Sequence, residues 1–134
     1  MIRRLLWIGR WEVVFFFAPD GYDDEAVLTA LYDADAPLDV MARANRIMES
    51  GRFNRGFTYT NLENRRAIVV VGPTTSGRQF QNTLVHEIRH LADGIAASLG
   101  VSLSSEAPAY ASGDAMMALA DVVCRLGCGM ATCQ

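Results

Sequence analysis

One long helix constrains this chain more than any other feature. Ser76 followed three residues later by Gln79 has the form of a capping box, and Gly100 supplies a stop. The spacing therefore predicts a helix from about Gly77 to Leu99, a rod about 34 Å long at 1.5 Å per residue. It carries two distinct sides. Leu84, Ile88, Leu91 and Ile95 form an apolar stripe, while His86, His90, Asp93 and Ala97 form another roughly 200° away. Such a helix packs on a sheet by one side and faces a cleft by the other. With 134 residues, 51% of them hydrophobic, the chain can bury one core around it, so residues 1–134 are expected to form a single domain.

Around the rod the remaining elements predict an α+β fold with a small, mainly antiparallel sheet. Trp7 to Phe17 is aromatic and β-branched and ends at the turn signal Ala18-Pro19-Asp20-Gly21, which predicts one central strand. Asp23 to Glu25 suits the start of a short helix ending near Asp33. Pro37 opens a second helix with Val40, Met41, Ala44, Ile47 and Met48 on its inner face and Gly51 as its C-cap. Phe57 to Asn61 and Ala67 to Val71 read as an antiparallel hairpin across a polar turn. Ser104 or Ser105 caps a last helix whose core face is Ala115, Met116, Leu119, Ala120, Val123 and Leu126, fraying into Gly127-Cys128-Gly129.

Charge excludes some functions. Twelve Lys and Arg against 15 Asp and Glu give a net charge of −3, with no long run of either sign, so neither a basic nucleic-acid module nor an acidic tail is expected. Arg10 and Glu12 interrupt the apolar N-terminal stretch, and Val13 to Ala18 is too short to span a membrane, so this region reads as strand and no membrane partner is expected. Trp7, Trp11 and Phe15 to Phe17 could form a dimer surface, although core strand explains them more simply. Cys124, Cys128 and Cys133 are an odd set bunched at one end; they favour a reducing, cytoplasmic setting and read as small apolar residues rather than ligands.

The helix also carries His86-Glu87-Ile88-Arg89-His90, an HExxH match formed from the only two histidines in the chain. Residues four apart on a helix stand one above the other, so two imidazoles can grip one zinc ion while Glu87 lies beside an open coordination position. A catalytic zinc needs a third protein ligand. Glu106, sixteen residues after His90, is the stronger candidate, because a helix returning antiparallel after Gly100 to Leu103 could bring it over the histidine face. Asp93 is the rival; it could instead orient a ligand imidazole or pair with a nearby arginine. Tyr110 shares the face of Glu106 and could donate a hydrogen bond to a developing oxyanion, or simply pack.

With His86 to His90 followed by Glu106, the sequence resembles the gluzincin class of zinc metallopeptidases. The stretch Ala67 to Gly72, Ser76, Phe80 to Thr83, His86 to His90 and Glu106 to Tyr110 is also similar to small metallopeptidase-like proteins of phages and mobile elements of gut bacteria. The resemblance implies a minimal zincin-like fold, with the sheet packed on the HExxH helix and a C-terminal helix. It implies His86, His90 and Glu106 as zinc ligands, Glu87 as base, and Ala67 to Val71 as the strand bordering the cleft. The expected reaction is hydrolysis of a peptide or related amide by metal-activated water, with Tyr110 steadying the oxyanion. An extended peptide or protein substrate would pair with Ala67 to Val71, and Gly72 to Gly77 would form one rim. The competing expectation is a non-catalytic, zinc-stabilised binding or regulatory module, favoured by the small size and the lack of a second wall. The oligomeric state is left open.

Overall fold

The computed structural model describes residues 1–19, 23–50 and 56–127. Along them run β1 (Ile2–Ile8), β2 (Trp11–Phe17), α1 (Asp24–Asp33), α2 (Leu38–Glu49), β3 (Phe57–Asn61), β4 (Arg66–Val71), α3 (Gly77–Ser98), α4 (Glu106–Ala118) and α5 (Ala120–Gly127). The strands form one sheet in the order β1-β2-β4-β3.

The α+β class holds, and the sheet is mixed. β1 with β2 and β3 with β4 are antiparallel, but the central pair β2 and β4 runs parallel, Val13 beside Ala67 and Phe17 beside Val71. The reason lies in two apolar runs. Val13 to Phe17 and Ala67 to Val71 are buried throughout, as strands covered on both faces must be, and such strands favour a parallel centre. Val13, Phe15, Phe17, Ala67, Val69 and Val71 share one core with α3, α4 and α5. Val14, Phe16, Ile68 and Val70 share the other with Val27 and Leu31 of α1 and Ala44 and Met48 of α2. The sheet therefore lies between two helical layers.

Two boundaries differ from expectation. The single strand over Trp7 to Phe17 is two strands, because Gly9 adopts φ +58° and turns the chain so that Ile8 pairs with Trp11. Trp11 and Phe15 to Phe17 are buried as core strand, whereas Trp7 is exposed. The last helix bends at Leu119 into α4 and α5, while the backbone bonds Leu119 N to Ala115 O and Val123 N to Leu119 O carry through the bend. The bend brings the end of α5 to the start of α3, where Gln81 Nε2 donates to Gly127 O at 3.2 Å. The proposed C-cap Gly51, and Cys128 and Cys133, lie outside the described residues; Cys124 is a half-buried free thiol. Among the described residues no helix is long and apolar enough to cross a membrane.

The long helix begins and faces as its sequence requires. The Ser76 side chain accepts from Gln79 N at 3.1 Å. The Gln79 side chain turns to Thr75, whose N–H and hydroxyl donate to it at 3.0 and 2.8 Å, one residue earlier than a reciprocal capping box would have it. Leu84, Ile88, Leu91 and Ile95 are all buried against the sheet.

Candidate metal centre

The site begins with how closely α3 approaches the sheet edge. A side-chain carbon on Gly94 would stand 2.7 Å from the Thr60 methyl, so a glycine in mid-helix lets α3 lie directly against β3. At the other end of the contact Gly56 has φ +105°, and a Cβ there would meet Val70 O at 2.3 Å and Glu87 Cγ at 3.0 Å. Two positions without side chains thus seat Glu87 beneath the start of β3.

Glu87 is only 4% exposed, the one charged residue in the core among the described residues. A buried carboxylate needs donors, and the Thr58 hydroxyl supplies one, 2.7 Å from Glu87 Oε2 and 3.2 Å from the Glu87 carbonyl oxygen. With Oε2 occupied, Oε1 turns towards the histidines and lies 3.9 Å from His86 Nε2.

His86 and His90 stand on the exposed side of α3. Their rings meet edge to face at 81° with centroids 4.7 Å apart, and their Nε2 atoms are 3.2 Å apart. Two nitrogens bound to one tetrahedral zinc at ordinary Zn–N distances are separated by about 3.3 Å, so this spacing fits two ligands of one ion. It also fits a single N–H···N bond between one protonated and one bare nitrogen. The donor chemistry is right for zinc in either case: two imidazoles on a rigid helix with a carboxylate beside them.

The other expected site residues are not gathered here. Asp93 accepts from Arg89 Nε at 2.9 Å, which is the arginine-pairing role rather than a ligand's. Glu106 is the exposed first residue of α4, and Tyr110, one turn on, is 67% exposed. α4 packs between α3 and β1, whereas Glu87 and Gly94 face β3 at the opposite edge of the sheet. The returning helix therefore comes back on the other flank of α3, and no hydrogen bond or ion pair joins Glu106 or Tyr110 to the histidines. Among the described residues no group of three or more His, Cys, Asp or Glu is placed to hold a metal ion.

One expectation about the cleft is overturned. β4 is hydrogen-bonded on both sides, to β2 and to β3, so Ala67 to Val71 cannot receive a further strand. Among the described residues the strand that borders Glu87 with an open edge is β3. Gly72 to Gly77 lines a separate surface cavity of about 290 Å³ with Ala18, Phe80 and Leu126, at the start of α3. Thr58, Gly56 and Gly94 were not signalled as parts of the site; a glycine inside a helical pattern is the one local sign of so close a contact. No family model, curated protein or solved structure matches the chain.

Proposed function

We propose that the chain is a zinc-dependent hydrolase of peptide or related amide bonds, with His86 and His90 as two of the zinc ligands and Glu87 as general base; the third ligand that a catalytic zinc needs is not gathered beside them among the described residues. The observation that carries this reading is the convergence of two Nε2 atoms at 3.2 Å beside a buried carboxylate tethered by Thr58. Zinc bound there would supply Lewis acidity and a water acidic enough to be a nucleophile near neutral pH.

The protein's own part follows from Glu87. Thr58 engages Oε2, so Oε1 is the oxygen left to take a proton from the attacking water and return it to the leaving amine nitrogen. Burial fixes the carboxylate's rotamer and spares it reorganisation during transfer. An extended peptide is the substrate class best suited to the surroundings, because the edge of β3, open among the described residues, can pair with its backbone next to Glu87. Glu106 and Tyr110 have no part in this arrangement while α4 lies on the far flank.

Metal analysis and peptidase assays on the full chain test the proposal. One zinc per chain is expected, lost in His86→Ala and in His90→Ala and retained in Glu106→Gln. Glu87→Gln is expected to keep the metal and abolish peptide hydrolysis; undiminished hydrolysis would reject Glu87 as base, and failure to bind zinc would remove the proposal. A second reading, a zinc-stabilised docking module, is favoured by the openness of the pair, His86 having a side chain 66% exposed. It expects zinc binding with no hydrolysis in the unaltered chain.

A further inference from the structure

We infer that β1 is a homodimer interface, two copies pairing β1 with β1 antiparallel about a two-fold axis through Leu5. The two four-stranded sheets would then join into one.

β1 is an edge of the sheet, seven residues long, with no proline or bulge, and an edge of that kind is a template for another strand. Its side chains alternate. Ile2 and Leu6 pack on the core beneath α3 to α5, while Arg3, Leu5 and Trp7 are exposed on the opposite face. That face is covered where Val14 and Phe16 of β2 lie under α1 and α2, but the cover stops short of β1: Leu5 is 47% and Trp7 64% exposed. Among the described residues a leucine and a tryptophan are thus left exposed beside an unpaired backbone edge.

The order of side chains along β1 suits a second copy as the occupant. A two-fold axis normal to the sheet pairs residues whose numbers have a constant even sum. Centred on Leu5, it pairs all seven residues of β1: Ile2 with Ile8, Arg3 with Trp7, Arg4 with Leu6, and Leu5 with itself. No like charges are directly opposite. Centring on Arg4 would set two arginines face to face, and centring on Leu6 would leave Ile2 and Arg3 unpaired. In the favoured register each Arg3 meets a Trp7 ring of the other copy. Arg3 already lies over Phe16, 6.0 Å from its ring centroid, so the second aromatic would complete a cation–π sandwich. Arg4 remains committed to its own Asp121 at 2.8 Å.

Sedimentation of the full chain from micromolar to millimolar concentration tests this. A concentration-dependent dimer is expected; a monomer throughout would overturn the inference. Leu5→Lys places two lysines together at the axis and is expected to give a monomer. Trp7→Lys sets a lysine opposite Arg3, twice by symmetry, and is expected to weaken the dimer by about tenfold or more. Adding Arg3→Glu to Trp7→Lys should restore it. Within one chain residues 3 and 7 are about 13 Å apart, so that recovery could only come from contact between copies. Unaltered association in Trp7→Lys, or no recovery in the double variant, would overturn the register and with it the interface. These side chains are exposed, so circular dichroism and the thermal midpoint should confirm that each variant folds. Glu87→Gln should dimerise like the unaltered chain, which keeps this result separate from the fate of the metal proposal.

Discussion

Replacing Thr58 with valine keeps the size and branching of the side chain and removes one hydroxyl. In this molecule that hydroxyl is the donor to a carboxylate that is 4% exposed, 2.7 Å from Glu87 Oε2. Depriving a buried acceptor of its partner costs about 1–3 kcal/mol, more than the net value of an average hydrogen bond. The same hydroxyl is 3.2 Å from the Glu87 carbonyl oxygen, a contact that persists whatever side chain stands at 87. A double-mutant cycle separates the two. In the unaltered background Thr58→Val should lose about 1–3 kcal/mol; in a Glu87→Leu background, where the carboxylate is gone, it should lose no more than about 1 kcal/mol, leaving a coupling of about 1–2 kcal/mol. Glu87→Leu by itself should be neutral or stabilising, since a buried carboxylate with so few donors is costly to keep. Urea unfolding followed by tryptophan fluorescence measures all four corners, with a constant m-value as the check that one transition is being compared. An equal cost of Thr58→Val in both backgrounds would refute the claim that Thr58 secures the Glu87 carboxylate.

Two further expectations follow from neighbouring contacts. Gly56→Ala should destabilise the fold by about 2–4 kcal/mol, combining a left-handed backbone with overpacking against Val70 O and Glu87, and urea midpoints will show it. The Arg4 guanidinium beside Asp121 holds that carboxyl below its ordinary value, so the ion pair's contribution is fully present above about pH 4 and is lost as pH falls through the lowered value. An NMR titration of the Asp121 carboxyl should give a midpoint below the usual range, and Arg4→Met should bring it back up.

The parts of this molecule that could be read directly from sequence are those whose signals are local. The capping serine, the glycine stop and the apolar stripe of α3 depend on residues within a few turns, and the pairing of His86 with His90 depends only on helical pitch. The hairpin of β3 and β4 has its turn between its strands. Where the chain meets itself at a distance, the local pattern is silent. Gly9-Arg10 lies between apolar runs on both sides and has only the leading glycine that suits a type II′ turn, without the stronger Asn-Gly or Asp-Gly signal, so one strand hid two. Burial on both faces could be read from Val13 to Phe17, but that its partner would be Ala67 to Val71 running in the same direction could not. The return of a helix after Gly100 was evident; the flank it would take was not, and that choice separates Glu106 from the histidines. Thr58 carries no signal of its role, because nothing in a strand's own alternation tells which residue of a helix it will meet.

The parallel pairing of β2 with β4 has a consequence for how the chain is made. β2 ends at Phe17 and its central partner ends at Val71, with α1, α2 and β3 in between. During synthesis at about 5–20 residues per second, the phenylalanines of β2 emerge several seconds before the strand that will cover their flank. Through that interval the N-terminal hairpin carries Phe15 to Phe17 with one open side, a sticky ribbon awaiting its neighbour. Slowing translation across residues 18–71 should lengthen the wait and raise the fraction of nascent chains lost to aggregation or captured by chaperones.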